Sequence, residues 1–222
     1  MHHELEVHPD PGAVAAAAAR LVADRARRAV TGSGTFRFAV SGGHTPWAMF
    51  AALATGAMPW ERVVLYQVDE RVAPAGDPER NLTHLRAALG DAPADLQPMP
   101  VEQVDLDAAA DAYAARLPDR FDLVHLGLGP DGHTASLVPG DPVLEVTDRL
   151  VAPTGIYQGR RRLTLTYPAL ARAAELLWLV TGPDKREPLA RLLAGDRSIP
   201  AGRVSAGASL VLADRDAAGP IT

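Results

Sequence analysis

The sequence predicts an α/β protein, a single domain over residues 1–222, with a mostly parallel sheet flanked by helices on both faces. Two observations carry this prediction. Several short runs are continuously apolar, as in parallel strands that are buried on both faces. These runs alternate along the chain with helical stretches of ten or more residues. Polar segments directly follow several of the runs, at the edge where ligands bind in such sheets, and this predicts a shared pocket.

The predicted elements succeed one another regularly. An alanine-rich helix covers 11–30 and closes at the turn 31–34, where two glycines stand. Strands are predicted at 35–40, 63–68, near 98–100, and at 121–129, 161–166, 175–180 and 209–214. Helices are predicted at 47–54, 81–89, 105–117, from Pro168 onward, and at 185–193. The remaining segments, including 69–80 and 139–160, are predicted to be loops, and the first residues with His2, His3 and His8 an unstructured terminus or an added tag.

The amino-acid composition and net charge exclude several classes of protein. Of 222 residues, 47% are hydrophobic and 22% charged, which excludes a disordered chain. The net charge of -5 gives no general attraction to nucleic acid or to an anionic membrane. Without cysteine there is no disulfide, thiolate zinc site or cysteine nucleophile. No apolar run is long enough for a signal peptide or a membrane span, so a soluble, cytoplasmic protein is expected.

The segment Ser41–Pro46, SGGHTP, follows a strand and opens a helix. Two glycines let a ligand approach the backbone, and a helix N-terminus with hydroxyl groups offers donors to a phosphate. The alternative is an ordinary strand-to-helix turn in which serine and threonine serve as caps. Neither the Walker pattern nor GxGxxG occurs here, so nucleotide binding gains no support.

Two further segments carry candidate catalytic groups. Asp69, Glu70 and Arg71 follow the strand 63–68, as a solvated turn or as groups that bind and orient an oxyanion. In the glycine-rich segment 127–134, Asp131 precedes His133 by two residues and can hold its imidazole, the natural general base near neutral pH. No histidine spacing is typical of a metal site.

Lys185 is the only lysine among 22 basic residues, and it stands after the strand 175–180 at a helix start. A cation there opposes the helix dipole, so the residue is either an indifferent surface lysine or a partner of the helix end in holding a phosphate. Arg162 and Thr164, on the strand 161–166, are possible additional donors.

Together, these segments resemble the 6-phosphogluconolactonase family. The matching pieces, in chain order, are SGGHTP (41–46), DER (69–71), GLGPDGHTASLVPG (127–140), RLTLT (162–166) and TGPDK (181–185). The resemblance implies a modified Rossmann-like fold related to glucosamine-6-phosphate deaminase and ribose-5-phosphate isomerase. It also implies hydrolysis of 6-phosphoglucono-δ-lactone to 6-phosphogluconate in the oxidative pentose phosphate pathway, without a metal or other cofactor.

The resemblance also implies residue roles. His133 corresponds to the general base, Asp131 to the residue that fixes its loop or tautomer, Arg71 to a binding or oxyanion-stabilising cation, and Asp69 to a pocket carboxylate. The cradle of the 6-phosphate is expected to comprise Ser41, Gly42, Gly43, Thr45, Lys185 and Arg162. The expected partner is a small phosphosugar lactone, with neither nucleic acid nor membrane, in a monomer or small homo-oligomer.

Two alternatives remain. Glucosamine-6-phosphate deaminases share a DGH segment, but theirs continues toward a glutamate partner, where this chain has Val138. They also have an aromatic residue at the position of Arg71. A phosphosugar-sensing domain would bind without turnover; such domains usually follow a DNA-binding helix-turn-helix, and no basic module precedes residue 35.

Overall fold

The computed structural model describes residues 2–219. Its strands are β1 (Glu4–His8), β2 (Phe36–Val40), β3 (Val63–Gln67), β4 (Asp69–Arg71), β5 (Asp95–Gln97), β6 (Leu123–Gly127), β7 (Val151–Pro153), β8 (Arg162–Leu165), β9 (Glu175–Val180) and β10 (Ala208–Asp214). Its helices are α1 (Pro11–Ser33), α2 (His44–Ala54), α3 (Asn81–Leu89), α4 (Leu106–Ala114), α5 (Tyr167–Leu170), α6 (Arg186–Leu193) and α7 (Arg215–Ala218). Among the described residues, no helix is long and apolar enough to cross a membrane.

The main sheet has seven strands in the order β1-β10-β9-β6-β2-β3-β5, and all of its pairings are parallel. Successive side chains of each strand point to opposite faces. In β2, Phe38 packs with α1 and α2 on one face, whereas Ala39 joins the core on the other. The predicted α/β class, with a mostly parallel sheet between helices, is therefore confirmed.

Helices cover both faces of the sheet. The apolar sides of α1, α2 and α3 form one core with alternate strand residues, and α4 to α7 contribute to a second core on the opposite face. The long helix α1 begins where predicted, because Asp10 caps it by accepting the N–H of Ala13 at 2.8 Å. It runs on to Ser33 and ends at Gly34, whose φ of 80° is typical of a glycine cap.

A second sheet of three antiparallel strands, β4-β8-β7, was not expected from the sequence. Asp69–Arg71 was predicted as part of a loop, but these residues form β4 and pair with β8. The predicted loop 139–160 likewise contains β7. The predicted strand near 98–100 lies instead at 95–97. Strands of three residues carry too little periodicity to be recognised locally, and their partners lie far along the chain.

The N-terminal prediction was wrong. Residues 4–8 form β1, which pairs in parallel with β10 at the edge of the main sheet. His3 is buried, and its Nδ1 lies 2.7 Å from the hydroxyl oxygen of Ser209. Its ring also meets the edge of Trp178. The segment is mostly polar because an edge strand exposes much of its surface, and so its sequence lacks the apolar signal of a central strand.

The chain reverses its direction across the sheet between β2 and β6. From β2 it proceeds through α2 to β3 on one side, and after β5 it returns to β6 on the other side of β2. The loops after β2, β6 and β9 therefore leave neighbouring strands at the same carboxyl edge. Ligands bind in the crevice at such a switch point.

Candidate active site

A cavity of about 350 Å³ opens at this switch point. Its walls come from the loops after β2, β6 and β9, together with β4, β8 and the start of α3. It is lined by nine of the predicted site residues: Ser41, Gly42, Gly43, Thr45, Asp69, Arg71, His133, Arg162 and Lys185. Glu70 and Thr164, which the sequence also offers as candidates, are fully buried and do not line it. Asp131 lies outside the lining, in contact with His133.

His133 and Asp131 form a hydrogen-bonded pair. The Nδ1 of His133 lies 2.5 Å from Oδ1 of Asp131, and the backbone N–H of His133 donates to the same oxygen at 3.1 Å. An ionised carboxylate accepts only, so this contact assigns the proton of a neutral imidazole to Nδ1 and leaves Nε2 as an acceptor. Burial raises the pKa of Asp131, but the His133 N–H and imidazole outweigh it and the net pKa is lowered. The carboxylate therefore stays ionised at neutral pH.

The loop that carries this pair is tightly closed. The N–H of Gly129 donates to the carbonyl oxygen of His133 at 2.8 Å. A Cβ on Gly129 would lie 2.0 Å from Nδ1 of His133, so only glycine leaves room for the imidazole. Ala135, which lines the cavity, has a φ of 51°, a left-handed conformation that is uncommon for a residue other than glycine.

Two arginines stand opposite each other on the second sheet. Arg71 of β4 pairs in register with Arg162 of β8. Like charges directly opposite on paired strands repel each other, so this arrangement favours an anion in the cavity that both line. Arg162 is only 4% exposed, and its buried Nε has no hydrogen-bond partner among residues 2–219. Burial lowers the pKa of Arg162, although its guanidinium remains a cation.

Asp69 is held on several sides. Ser136 donates its hydroxyl to Oδ2 of Asp69 at 2.6 Å, and the Asn81 amide donates to the Asp69 carbonyl at 3.1 Å. Burial raises the pKa of Asp69, and the Ser136 hydrogen bond and the charge of Arg162 only partly oppose this. Ser136 and Asn81 were not singled out from the sequence. Ser136 lies in the DGHTAS stretch, so the sequence offered a signal for this residue. No local feature of the sequence marked Asn81 as part of the site.

Glu70 holds the segment Asp69–Arg71 in place from the interior of the protein. Its fully buried carboxylate accepts the backbone N–H groups of Arg71, Asn81 and Leu82, each at 2.8 Å. It also lies 3.2 Å from Nε of Arg80, a side chain that is 1% exposed. The carboxylate thus joins β4 to the start of α3, and the segment Asp69–Arg71 is a rigid wall rather than a solvated turn.

The loop after β2 forms another part of the cavity lining, next to Asn81. A Cβ on Gly42 would lie 2.0 Å from Oδ1 of Asn81, and Gly43 has a φ of 137°. Glycine is therefore required at both positions, for close approach and for conformation. No described side chain caps the start of α2, so its first N–H groups lack a side-chain acceptor.

The cavity lining also contains two hydroxyl groups, of Thr45 and Thr181, and the ammonium group of Lys185. The hydroxyl oxygens of Thr45 and Thr181 lie 2.8 Å apart. Nζ of Lys185 lies 2.6 Å from Asp184, and the lysine lines the cavity at the end of a single 3₁₀ turn, Pro183–Lys185, that precedes α6. Uncapped helical N–H groups, hydroxyls and an ammonium group are the donors that bind phosphate in proteins.

His125 fastens this loop to the neighbouring strand. Its Nδ1 accepts the Ser41 N–H at 3.3 Å, and its carbonyl oxygen accepts the Ser41 hydroxyl at 3.2 Å. Burial lowers the pKa of His125 to about 3, so the imidazole is neutral at physiological pH. Among the described residues, no group of three or more histidine, aspartate or glutamate side chains could hold a metal ion.

Comparison with known proteins gives concordant matches. A profile described as "Glucosamine-6-phosphate isomerases/6-phosphogluconolactonase" matches residues 9–212. A curated 6-phosphogluconolactonase of Mycobacterium tuberculosis is 37% identical over 98% of both chains. One from Synechocystis is also 37% identical, over 78% of each chain.

Solved structures share the fold. A 6-phosphogluconolactonase of Shewanella baltica superposes with a TM-score of 0.88 and 25% identity, covering 96% of this chain and 98% of its own. A monomeric glucosamine-6-phosphate deaminase superposes with a TM-score of 0.81, covering 97% of this chain and 98% of its own, at 20% identity. At that identity, the second likeness concerns the fold alone.

Proposed function

Because this chain belongs to the family of glucosamine-6-phosphate isomerases and 6-phosphogluconolactonases, we propose that it is a lactone hydrolase. Its reaction is the hydrolysis of 6-phosphoglucono-δ-lactone to 6-phosphogluconate, in the oxidative pentose phosphate pathway. The names of the curated relatives support this reaction, since they match the chain at moderate identity over most of its length.

One observation carries the assignment of the site. A histidine whose Nδ1 is engaged by a carboxylate lies in one cavity with two opposed arginines and a separate group of phosphate donors. A lactone with a phosphate at its far end needs these three features. It needs a base for water, cations for the developing oxyanion, and an anchor that orients the ring.

The proposed reaction uses Nε2 of His133 as the base. Nε2 takes a proton from water while the water oxygen bonds to the lactone carbonyl carbon. The carbonyl oxygen becomes an oxyanion beside Arg162 and Arg71, whose charges stabilise it. When the tetrahedral intermediate collapses, the bond to the ring oxygen breaks, and that oxygen takes the proton from the imidazolium. The products are a hydroxyl group and a carboxylic acid, and the acid ionises at neutral pH and releases its proton to the solvent.

The phosphate is proposed to bind at the other end of the cavity. The glycine turn, the hydroxyls of Thr45 and Thr181, and the ammonium group of Lys185 all line the cavity and are the donors proposed for the phosphate. Arg162 was expected in this cradle from the sequence. Because it pairs with Arg71 and contacts the ring of Tyr157 beside His133, we assign it to the lactone end instead.

The residue at position 138 favours the lactonase over the deaminase. Both families share the DGH segment, and here its Asp131 contacts His133 at 2.5 Å, whereas in the deaminase pattern a glutamate partner follows the histidine. Val138, at the position of that acid, is buried. The site thus supplies one base with a fixed tautomer, as addition of water requires.

Substitution of the base tests the proposal. His133→Ala should lower kcat about 100-fold or more, the usual contribution of general base catalysis, with little change in KM. The measurement is acid release from fresh lactone, with the spontaneous rate subtracted. His84→Ala, which removes an exposed histidine outside the cavity, is the control. If the His133 variant retains wild-type kcat, this histidine has no part in the mechanism.

The pH dependence offers a second test. The neutral imidazole is the active form, so kcat/KM should decline as pH falls and the imidazole gains a proton. Because the pKa of Asp131 is lowered, its carboxylate stays ionised from pH 5 to 8 and causes no second decline in the rate. A rate that is flat from pH 5 to 8, after correction for spontaneous hydrolysis, would contradict a histidine base.

The proposal includes the partners and location expected from the sequence. The substrate is a small phosphosugar lactone. A monomer or small homo-oligomer is the proposed form. A cytoplasmic location is part of the same proposal.

A further inference from the structure

Tyr157 lies outside every motif of the sequence, yet it contacts three groups of the proposed site. Its ring centroid is 5.5 Å from that of His133, at an interplanar angle of 67°. The guanidinium carbon of Arg162 lies 5.0 Å from the same ring centroid. The Tyr157 hydroxyl lies 3.5 Å from Oδ2 of Asp131.

The turn that carries Tyr157 is well ordered by its own contacts. Two backbone hydrogen bonds, of 3.0 and 3.3 Å, join Tyr157 and Arg160 across it. The residues between them, Gln158 and Gly159, have φ values of 50° and 80°, as a type I′ turn requires. The turn is also anchored from outside, because Arg160 forms ion pairs with Asp77 and Glu79. Tyr157 is therefore presented on a fixed support.

Among residues 2–219, the guanidinium of Arg162 has no short hydrogen bond to hold it in place. The charge of Arg71 stands opposite it, and its buried Nε has no hydrogen-bond partner among residues 2–219. Its terminal nitrogens make only long contacts, at 3.5 Å to Ser136 and 3.3 Å to Gln158. The face of an aromatic ring attracts a cation, and this attraction is stronger where water is excluded. The ring of Tyr157 thus supplies an attractive contact that the hydrogen bonds of Arg162 do not.

We propose that Tyr157 is a positioning residue, whose ring holds the base His133 and the oxyanion cation Arg162 in one arrangement. This inference rests on the proposed function. The ring, not the hydroxyl, carries the effect, since 3.5 Å is at the outer limit of a hydrogen bond whereas both ring contacts are at ordinary distances. Tyr157 acts on the lactone end of the cavity and leaves the phosphate cradle unchanged.

The test compares Tyr157→Phe, which keeps the ring, with Tyr157→Leu, which removes it. The Phe variant should stay within about 3-fold of wild-type kcat. The Leu variant should lose about 10- to 100-fold in kcat, the scale on which misplacement of reacting groups lowers rates. Its KM for the phosphorylated lactone should change less than about 3-fold. The loss in kcat/KM should be the same on glucono-δ-lactone, which has no phosphate.

A neighbouring residue provides the matched control. Ile156 precedes Tyr157 on the same turn and is 76% exposed, so Ile156→Ala should retain wild-type kinetics. Melting temperatures establish that each variant is folded. If the Leu variant is unfolded, Tyr157→Met, which is unbranched and adaptable, takes its place with the same expected loss.

The outcomes are distinguishable. Wild-type kcat in the Leu or Met variant would overturn the positioning role, as would a change in KM alone. A Phe variant as impaired as the Leu variant would assign the effect to the hydroxyl and overturn the role of the ring. A wild-type protein that adds nothing to spontaneous hydrolysis would instead overturn the proposed function itself.

Discussion

Single residues give the cavity its two groups of functional side chains. In the proposed function, the pair of His133 and Asp131 and the opposed arginines act on the lactone, and the glycine turn and Lys185 hold the phosphate. Lys185 lines the cavity and forms an ion pair with the neighbouring Asp184. That contact also lowers the pKa of Asp184, chiefly through the hydrogen bond to Lys185, so the two charges remain paired over the neutral range.

Among single residues, Lys185 is predicted to anchor the phosphate of the substrate. A hydrogen bond to a charged group contributes about 1.5–3 kcal/mol, so Lys185→Ala should lower kcat/KM for the phosphorylated lactone about 10- to 150-fold, mainly through KM. Lys185→Arg should restore only part of the loss, because a guanidinium fork has a different length and shape. The measurement is steady-state kinetics on both lactones.

Two controls make this prediction specific. Glucono-δ-lactone, which has no phosphate, should respond little to Lys185→Ala. Arg186→Ala removes the adjacent cation, which bonds to the carbonyl oxygen of Asp216 outside the cavity, and should leave KM unchanged. Equal proportional losses on both lactones would assign Lys185 to the chemistry or to the fold rather than to the phosphate.

At the scale of elements, the loop after β6 sets the position of the imidazole. The loop returns on itself through the hydrogen bond from Gly129 to His133 and through the close approach of these two residues. The left-handed conformation of Ala135 shows that tertiary contacts impose the loop's path against local preference. Such a loop restricts the position of the imidazole.

Gly129→Ala should therefore displace the base. The new Cβ would meet Nδ1 of His133 at 2.0 Å, so the imidazole must move away from Asp131 or the loop must shift. We expect kcat to fall at least about 10-fold, since small misplacements of reacting groups are costly. The measurement is kcat together with the free energy of unfolding.

The same substitution elsewhere provides the comparison. Gly32 lies in the last turns of α1, and a Cβ there would meet nothing within 4 Å. Gly32→Ala should leave kcat unchanged and raise the free energy of unfolding by up to about 1 kcal/mol, because glycine weakens helices. An undiminished kcat in Gly129→Ala would mean that the loop accommodates the imidazole in more than one position.

For the whole molecule, a buried histidine links stability to pH. Burial lowers the pKa of His125 to about 3, whereas in the unfolded chain it titrates near 6.5. Below pH 6.5 the unfolded state binds a proton that the folded state does not, so stability is lost as pH falls. Between pH 7 and pH 5, this one residue should cost about 2 kcal/mol of the free energy of unfolding. The pKa of buried His3 is also lowered, chiefly by burial, and adds a loss of the same sign.

Replacement of His125 isolates its share. His125→Gln retains an acceptor for the Ser41 N–H but removes the titrating group. Denaturant titrations at pH 7 and pH 5 should give a stability difference that is about 2 kcal/mol smaller in the variant than in the wild type. An unchanged pH dependence would mean that His125 does not remain neutral in the folded protein.

The parallel sheet and most of the cavity lining can be predicted from the residues of this chain alone. Strand β9 was predicted with its observed bounds, because a central strand buried on both faces leaves a continuous apolar run. Residues that follow such strands meet at one edge of the sheet wherever their helices lie. Ser41, His133 and Lys185 could therefore be placed together before the structure was known.

The short or polar strands and the contacts between distant residues depend on the tertiary structure. The strands β1 and β4 are too polar or too short to show a periodicity, and they form because distant partners offer backbone hydrogen bonds. The contacts of Tyr157 with His133 and of Gly42 with Asn81 join residues far apart in the chain. Local pattern reflects the environment of a segment, whereas these contacts depend on where two separate segments meet.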